Sequence, residues 1–500
     1  MIIGVRAEER QTSGVRPFWC SVPPVDDAAP HPRLGLPTLA LLAALVSFGV
    51  GSASLARNRP LGDLSGMADE WLYLGFNLAI HGTLGLDHEP ILFRPPGYPA
   101  FVAAVLRAGL RLPPHHDQRL EMPGAQALYV AHILVLAAAS ALVCLWLGRR
   151  LSPTLAFLGA LLFGANPYSV ILTTYRHYDV LHWLMLIAGC LALEAALSRP
   201  PGALRMFGVG AWWGLATLVR PVSLVLPPFV AAASFLRRGA PRDALRETAA
   251  FTLGLCLTIA PWTVRNYRVG GRFIPVNAQT WTVTWATTVE PNPADADRYK
   301  WYKVANAHYL PLFSRVTGVS YYNFPTFARM ILPLEDAFKA ETIANVRRQP
   351  LVYLHNVGVS FVSLQTSINA IMLTAFRRIQ DGTRFDPRWL WLGSPGNLAR
   401  GPEAVAFAIL HGALTVLAAV GLWRGLRARD PFLAVPVLVH LALSAAHALT
   451  YLDTLYYYVK LPFLVVLAFY GVGRLGRASV PLGAALTGSA LLLSVWTLFW

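Results

Sequence analysis

Apolar runs of spanning length alternate along this chain with short charged or Pro/Gly-bearing breaks, a pattern that predicts membrane-crossing helices. They occupy 34 to 55, 126 to 148, 151 to 175, 180 to 198, 248 to 265, 404 to 423, 431 to 452, 454 to 473 and 479 to 500. Two shorter runs, 206 to 219 and 221 to 236, meet at Arg220-Pro221. Proline disfavours helical geometry at the residue before it, so the pair reads as a hairpin of short spans with Arg220 at its tip, at one membrane face. Segment 351 to 376 mixes His355, Asn356, Gln365 and Asn369 with apolar residues. Were it to cross, the basic loops with Arg424/Arg427/Arg429 and Arg474/Arg477 would fall outside, so it is expected to lie at the interface or pack against the bundle. The expectation is an all-α polytopic membrane protein with about 11 crossings, in the range 10 to 13, and twelve as the alternative.

Composition sharpens this picture. Of 500 residues, 55% are hydrophobic and only 14% charged, which excludes a soluble multidomain protein. Lys+Arg number 42 against 26 Asp+Glu, a net charge of +16, yet the arginines cluster in the breaks between apolar runs and form no phosphate-tracking stripe. No nucleic-acid partner is expected. The positive-inside rule puts Arg149/Arg150, Arg199/Arg205 and Arg237/Arg238/Arg242/Arg246 in cytoplasmic loops, with a cytoplasmic N-terminus. Cys144, Cys190 and Cys256 lie inside apolar runs and Cys20 stands alone, so neither a disulfide framework nor a zinc cluster is implied. The first run has no cleavage site and reads as a retained helix. The chain divides into a disordered cytoplasmic tail, 1 to 33; an N-terminal transmembrane catalytic module, 34 to 265, with a first outer loop, 56 to 125; an outer segment, 266 to 403; and C-terminal transmembrane helices, 404 to 500.

Both outer segments are too long for connectors and too aromatic for disorder, with Trp71, Tyr73, Phe93 and Tyr98 in the first and Trp281, Trp285, Tyr299, Trp301, Tyr302, Tyr321 and Tyr322 in the second. The first loop holds Asp69-Glu70-Trp71-Leu72-Tyr73, then Arg94-Pro95-Pro96-Gly97-Tyr98-Pro99. If Asp69 opens an interfacial helix, Asp69, Tyr73 and Asn77 share a face, and the helix dipole favours the ionised carboxylate there. An ionised carboxylate is what a transferase needs to take a proton from an attacking hydroxyl. The alternative is a capping Asp69 with a solvated Glu70.

These motifs, followed by Gly214-Leu-Ala-Thr-Leu-Val-Arg220-Pro221 and Pro261-Trp-Thr-Val-Arg265-Asn-Tyr267, resemble the GT-C superfamily of membrane glycosyltransferases. Within it, the resemblance is to the branch of protein O-mannosyltransferases and the lipid A aminoarabinose transferase, over about residues 34 to 470. It implies an inverting transfer of a sugar from a polyprenyl-phosphate carrier to a lipid, glycan or protein acceptor on the outer side of a bacterial inner membrane. Asp69 then matches the catalytic base and Glu70 its neighbour. Asp179, in Tyr175-Arg176-His177-Tyr178-Asp179, matches the second carboxylate, although relatives usually carry a Thr-Glu-like pair there. The developing phosphate charge needs cations where water is scarce, and Arg94, Arg220, Arg265 and Lys460 stand at outer ends of spans, with Tyr98 beside Arg94 in its motif.

Each assignment has a plainer counterpart. Arg220 can snorkel, Arg265 can stop a span, and the Arg94 segment can simply staple two interfacial helices. Lys460, where relatives have R-Y-R-x-P, keeps the charge but loses the bidentate fork, and Tyr456-Tyr457-Tyr458 before it reads equally as an aromatic belt. Some GT-C enzymes hold a divalent cation and others need none, so magnesium or manganese on Asp69 and Asp179, with Glu70, stays open. His81, His88, His115-His116-Asp117, His177 and His182 lack zinc spacing and read as solvated. Asn277, Gln279, Thr280, Trp281 and Trp285 suit sugar stacking or a packed cap. Two competing functions are weighed: a lipid or solute transporter, which the absence of an internal repeat disfavours, and an inactive scaffold relative, which the intact Asp69 disfavours.

Overall fold

The computed structural model describes residues 34–60, 70–109, 125–289, 309–321, 324–366, 373, 376, 380, 402–450 and 459–499. The chain enters through α1 (Leu36–Arg57). The segment after α1 then forms α2 (Glu70–His81), a two-stranded hairpin of β1 (Gly85–Leu86) and β2 (Glu89–Pro90), and α3 (Gly97–Gly109). The bundle continues with α4 (Ala125–Leu147), α5 (Pro153–Ala165), α6 (Pro167–Leu172), α7 (Asp179–Leu197), α8 (Ala203–Val219), a 3-10 turn at Pro221–Val225, α9 (Leu226–Arg238) and α10 (Pro241–Gly270). The long segment after α10 carries α11 (Thr280–Thr288), α12 (Leu310–Thr317), α13 (Phe324–Arg329), α14 (Ile331–Arg348) and α15 (Pro350–Thr366). It is followed by α16 (Pro402–Arg427), α17 (Ala434–Thr450), α18 (Leu461–Gly473) and α19 (Ser479–Phe499).

Seven described helices are long and apolar enough to cross a membrane, and shorter apolar helices accompany them. Contacts between residues at many of their ends mark out two faces. At one, Arg238 meets Glu247, Glu247 accepts from the Gly202 N–H, Arg149 pairs with Glu194, and Arg474 pairs with Asp430. At the other, Asn58 binds the Leu498 carbonyl, Arg265 binds the Leu84 and Ile91 carbonyls, and the Thr287 hydroxyl donates to Thr450. Following the chain between these faces gives eleven traverses among the described residues: α1, α4, α5 with α6, α7, α8, α9, α10, α16, α17, α18 and α19. This is a multi-pass membrane protein.

Helix α15 does not cross. It enters from the second face, where the Tyr353 hydroxyl donates to the Leu449 carbonyl, and reaches only Ser444 and His440 through Gln365. By Gln380 the chain is back at that face, exchanging two hydrogen bonds with the Arg59 backbone.

Apolar burial drives little helix association in lipid, so close backbone packing has to do so. Helices α8 and α10 run parallel, and a Cβ on Gly210 would stand 1.9 Å from the Phe251 carbonyl oxygen. Over the second face lies a cap whose own core joins both outer segments through Phe93, Trp285, Tyr309, Phe313 and Phe338. Buried Glu335 fixes it by accepting from the Trp281 and Thr282 N–H groups at 2.9 and 2.8 Å, which satisfies the orphan donors at the start of α11. Trp285 is therefore a core residue of the cap rather than a sugar platform.

Candidate active site

The site-bearing face is built from three short backbone elements. Asp69 and the Tyr456-Tyr457-Tyr458 run lie outside the described residues, as do His115, His116 and Asp117. Glu70, at the first turn of α2, is only 4% exposed, so the solvated reading of this residue is corrected. Its Oε2 accepts from Arg94 Nε at 2.9 Å and from Arg94 Nη2 at 2.5 Å. The Arg94 guanidinium also lies over the rings of Trp71 (4.7 Å) and Phe93 (4.1 Å), and Gln279 from the cap reaches its third nitrogen at 3.4 Å. An aromatic face on either side and a carboxylate at the edge hold the cation in one orientation.

The following residues press this loop onto the bundle. A Cβ on Gly97 would meet the Leu218 carbonyl oxygen and the Val219 nitrogen at 2.7 Å, so only glycine lets the Arg94 segment approach the end of α8. One residue on, Arg220 leaves the helix in extended geometry, φ −147° and ψ 120°, as its position before proline requires. Arg220 is 5% exposed, its guanidinium 4.9 Å from the Tyr178 ring, and within electrostatic reach of His182 and His447. A short hairpin between two membrane helices has thus buried a cation at its tip.

The third element is the turn after α6. Asp179, the first residue of α7, is 1% exposed and its carboxylate lies 2.9 Å from the His177 imidazole, close enough for an ion pair though not aligned for a hydrogen bond. His177 packs on Tyr178 (3.8 Å between ring centres), and Trp71 touches both His177 (6.0 Å) and Tyr178 (5.2 Å) edge-on. Trp71 and Tyr178 therefore join Glu70–Arg94 to Asp179–His177 and to Arg220 in one contiguous cluster. The solvated reading is corrected for His177, which is half-buried, and for His182, which is fully buried, while His81 and His88 are exposed.

No protein-family model and no curated protein sequence matches the chain. Among solved structures it is similar to the archaeal oligosaccharyltransferase AglB from Archaeoglobus fulgidus in complex with an inhibitory peptide and a dolichol-phosphate. That match has 13% identity and a TM-score of 0.51, covering 93% of this chain and 56% of the other. A structure of the same enzyme tethered to an acceptor peptide gives a TM-score of 0.50 over 93% of this chain. ArnT from Cupriavidus metallidurans bound to undecaprenyl phosphate matches at 14% identity and a TM-score of 0.37, over 88% of this chain and 77% of its own. The fold is that of the GT-C membrane glycosyltransferases. The chain spans 56% of the length of the archaeal enzyme.

Within this GT-C fold the other expected site residues take different stations. Tyr98 is fully buried and its hydroxyl lies 3.1 Å from His132 Nε2, inside the protein. Arg265 spends its guanidinium on the carbonyls of Ile91 (2.6 Å) and Leu84 (3.1 Å) and lies 4.6 Å from the Trp262 ring, which makes it a tie between α10 and the first loop. Lys460, 6% exposed, donates to the Gln365 carbonyl at 3.3 Å, and Gln365 in turn meets His440 at 2.7 Å, so α15 stands next to this cation. Tyr309, from the cap, has its hydroxyl pushed up by burial first and then by the charges of Glu70 and Glu335, so it remains a neutral donor beside the acidic pair. Among the described residues no three metal-ligating side chains converge. The roles of His132, His177, His182 and His447 were not legible as a group, because they come from three helices and a turn with no common spacing.

Proposed function

We propose that this protein is an inverting glycosyltransferase that moves a sugar from a polyprenyl-phosphate carrier to an acceptor hydroxyl or amide on the outer face of a bacterial inner membrane, with the N-terminus cytoplasmic. The observation that carries the reading is the buried Arg220 at a hairpin tip, joined through Tyr178 to the buried Asp179–His177 pair. A desolvated guanidinium in one cluster with a buried carboxylate suits a lipid phosphate leaving group and a reacting sugar. The acceptor attacks the anomeric carbon, the bond from that carbon to the phosphate oxygen breaks, and the acceptor proton passes to a carboxylate, leaving the carrier as a phosphate monoester.

In this reading Asp69 is the base, preceding a Glu70 whose charge Arg94 already balances. Arg220 receives the phosphate and Lys460 supports it from α18. Arg94 acts through the Glu70 clamp, and Arg265 and Tyr98 hold the scaffold. Among the described residues the carboxylate oxygens of Asp179 accept no hydrogen bond, which fits a hard cation. Asp179, with Asp69, would hold a magnesium or manganese ion, which would supply charge neutralisation at the phosphate. The dolichol-phosphate and acceptor peptide bound by the archaeal oligosaccharyltransferase structures support a lipid-linked donor.

The test is transfer of radiolabelled sugar from a panel of polyprenyl-phosphate sugars in purified membranes at matched expression. Wild type is expected to use at least one donor, and Asp69→Asn to lose about 10²- to 10⁴-fold in kcat. Arg220→Lys, which keeps the charge without the fork, is expected to lose transfer chiefly through kcat. Wild type inert toward every donor refutes the reading, and a fully active Asp69→Asn refutes the base assignment alone.

A further inference from the structure

The site's two loops are connected by a buried residue that neither chemistry nor motif singles out. His132 sits on α4 with no exposed surface. Its Nδ1 lies 3.1 Å from the Thr173 carbonyl oxygen and its Nε2 3.1 Å from the Tyr98 hydroxyl. A carbonyl only accepts, so Nδ1 carries the proton and Nε2 accepts from Tyr98. The chain Tyr98 O–H to His132 to Thr173 C=O therefore runs in one direction with one tautomer. Phe101 lies nearly parallel to the imidazole, with ring centres 5.9 Å apart at 6°.

What this chain joins is the relevant point. Tyr98 follows the Arg94-Pro95-Pro96-Gly97 segment, which carries the Glu70 clamp and rests on α8 one residue short of Arg220. Thr173 closes α6 and opens the turn that carries His177, Tyr178 and Asp179, and its carbonyl is one of the orphan acceptors at a helix end. Asp179 and His177 are both within electrostatic reach of His132. The imidazole is thus a polar link between the two halves of the site.

We propose that His132 is a positioning residue for the transfer reaction, setting the Arg94 loop and the Asp179 turn in register through Tyr98 and Thr173. The proposal rests on the glycosyltransferase reading for its kinetic consequence. A side chain at this depth touches neither donor nor acceptor, so its removal shifts the geometry of the reacting groups and leaves donor affinity near normal.

The experiment uses the full chain in nanodiscs with Tyr98→Phe, His132→Leu, His132→Gln and the double variant Tyr98→Phe/His132→Leu. Two readouts are taken: kcat and KM per folded protein for the best donor, and hydrogen–deuterium exchange of segments 92–98 and 173–182. Tyr98→Phe, which keeps the ring and its packing, is expected to lower kcat about 10- to 100-fold. KM is expected to stay within about threefold. His132→Gln, which can accept at the Nε2 position, is expected to recover part of the loss, and the double variant to be no worse than His132→Leu. Tyr98→Phe is also expected to speed exchange in 173–182 although it keeps the ring that packs edge-on against Tyr178 at 6.4 Å. Unchanged exchange there overturns the coupling even if the wild type transfers no sugar, and faster exchange with an unaltered kcat overturns the positioning role. If wild type is inert while the exchange coupling holds, the enzyme reading fails and the link between the loops stands.

Discussion

The Glu70–Arg94 pair offers the sharpest energetic test of how the site is held. Glu70 has a side-chain exposure of 4% and Arg94 of 19%, and two of the arginine's donors converge on a single carboxylate oxygen. Replacing Arg94 by Met keeps an apolar stem beside Trp71 and Phe93 but takes from a buried carboxylate both of its arginine donors. Breaking such a pair from one side costs about 3 to 5 kcal/mol, and the partial exposure of Arg94 places this case near 3. Glu70→Gln leaves the guanidinium an amide oxygen to bind, with a loss of about 1 to 2 kcal/mol. The double variant Glu70→Gln/Arg94→Met removes both charges, so its loss is expected near 1 to 2 kcal/mol, well below the sum of the singles. Equilibrium unfolding in mixed micelles across the four proteins gives the coupling directly. A double variant as unstable as the two losses added would show that the pair contributes no coupling, and the clamp argument would fall.

Two further outcomes follow from particular contacts. Gly210→Ala must separate α8 from α10 by about 1.5 Å to relieve its 1.9 Å approach to the Phe251 carbonyl, and cores that dense do not open without loss, so folded yield is expected to drop sharply while Gly208→Ala, facing open space, is silent; size-exclusion profiles of both in detergent decide it. At the opposite face, Glu247 accepts from Arg238, the Ser234 hydroxyl and the Gly202 N–H, so Glu247→Gln, which keeps one acceptor oxygen for Arg238, is expected to cost about 1 to 2 kcal/mol of stability without changing donor KM, and a shift in KM would refute its remoteness from the site.

Much of the architecture was legible because lipid imposes one rule on backbone polar groups. Each spanning segment must satisfy its own hydrogen bonds, so apolar length reports a helix with little competition from other structures. The Arg220 hairpin was legible for a similar reason, since proline dictates the geometry of the residue before it. That α15 does not cross was expected from charge, because a full crossing would have put the later basic loops on the face opposite the earlier ones.

Side-chain partnership was not legible in the same way. Glu70 and Arg94 are 24 residues apart, Arg265 and Leu84 are 181 apart, and nothing in their spacing distinguishes a phosphate ligand from a clamp or a tie. The sequence alone determined the spans, the two elaborated loops, the position of Arg220 and the set of charged residues available to one face. The tertiary structure decided which polar groups were consumed by neighbours: Arg94 by Glu70, Arg265 by backbone carbonyls, and Tyr98 by a histidine on another helix. The physical reason is that helix formation depends on local periodicity and solvent, whereas an ion pair or buried hydrogen bond depends on which elements the packing brings within 3 Å of one another.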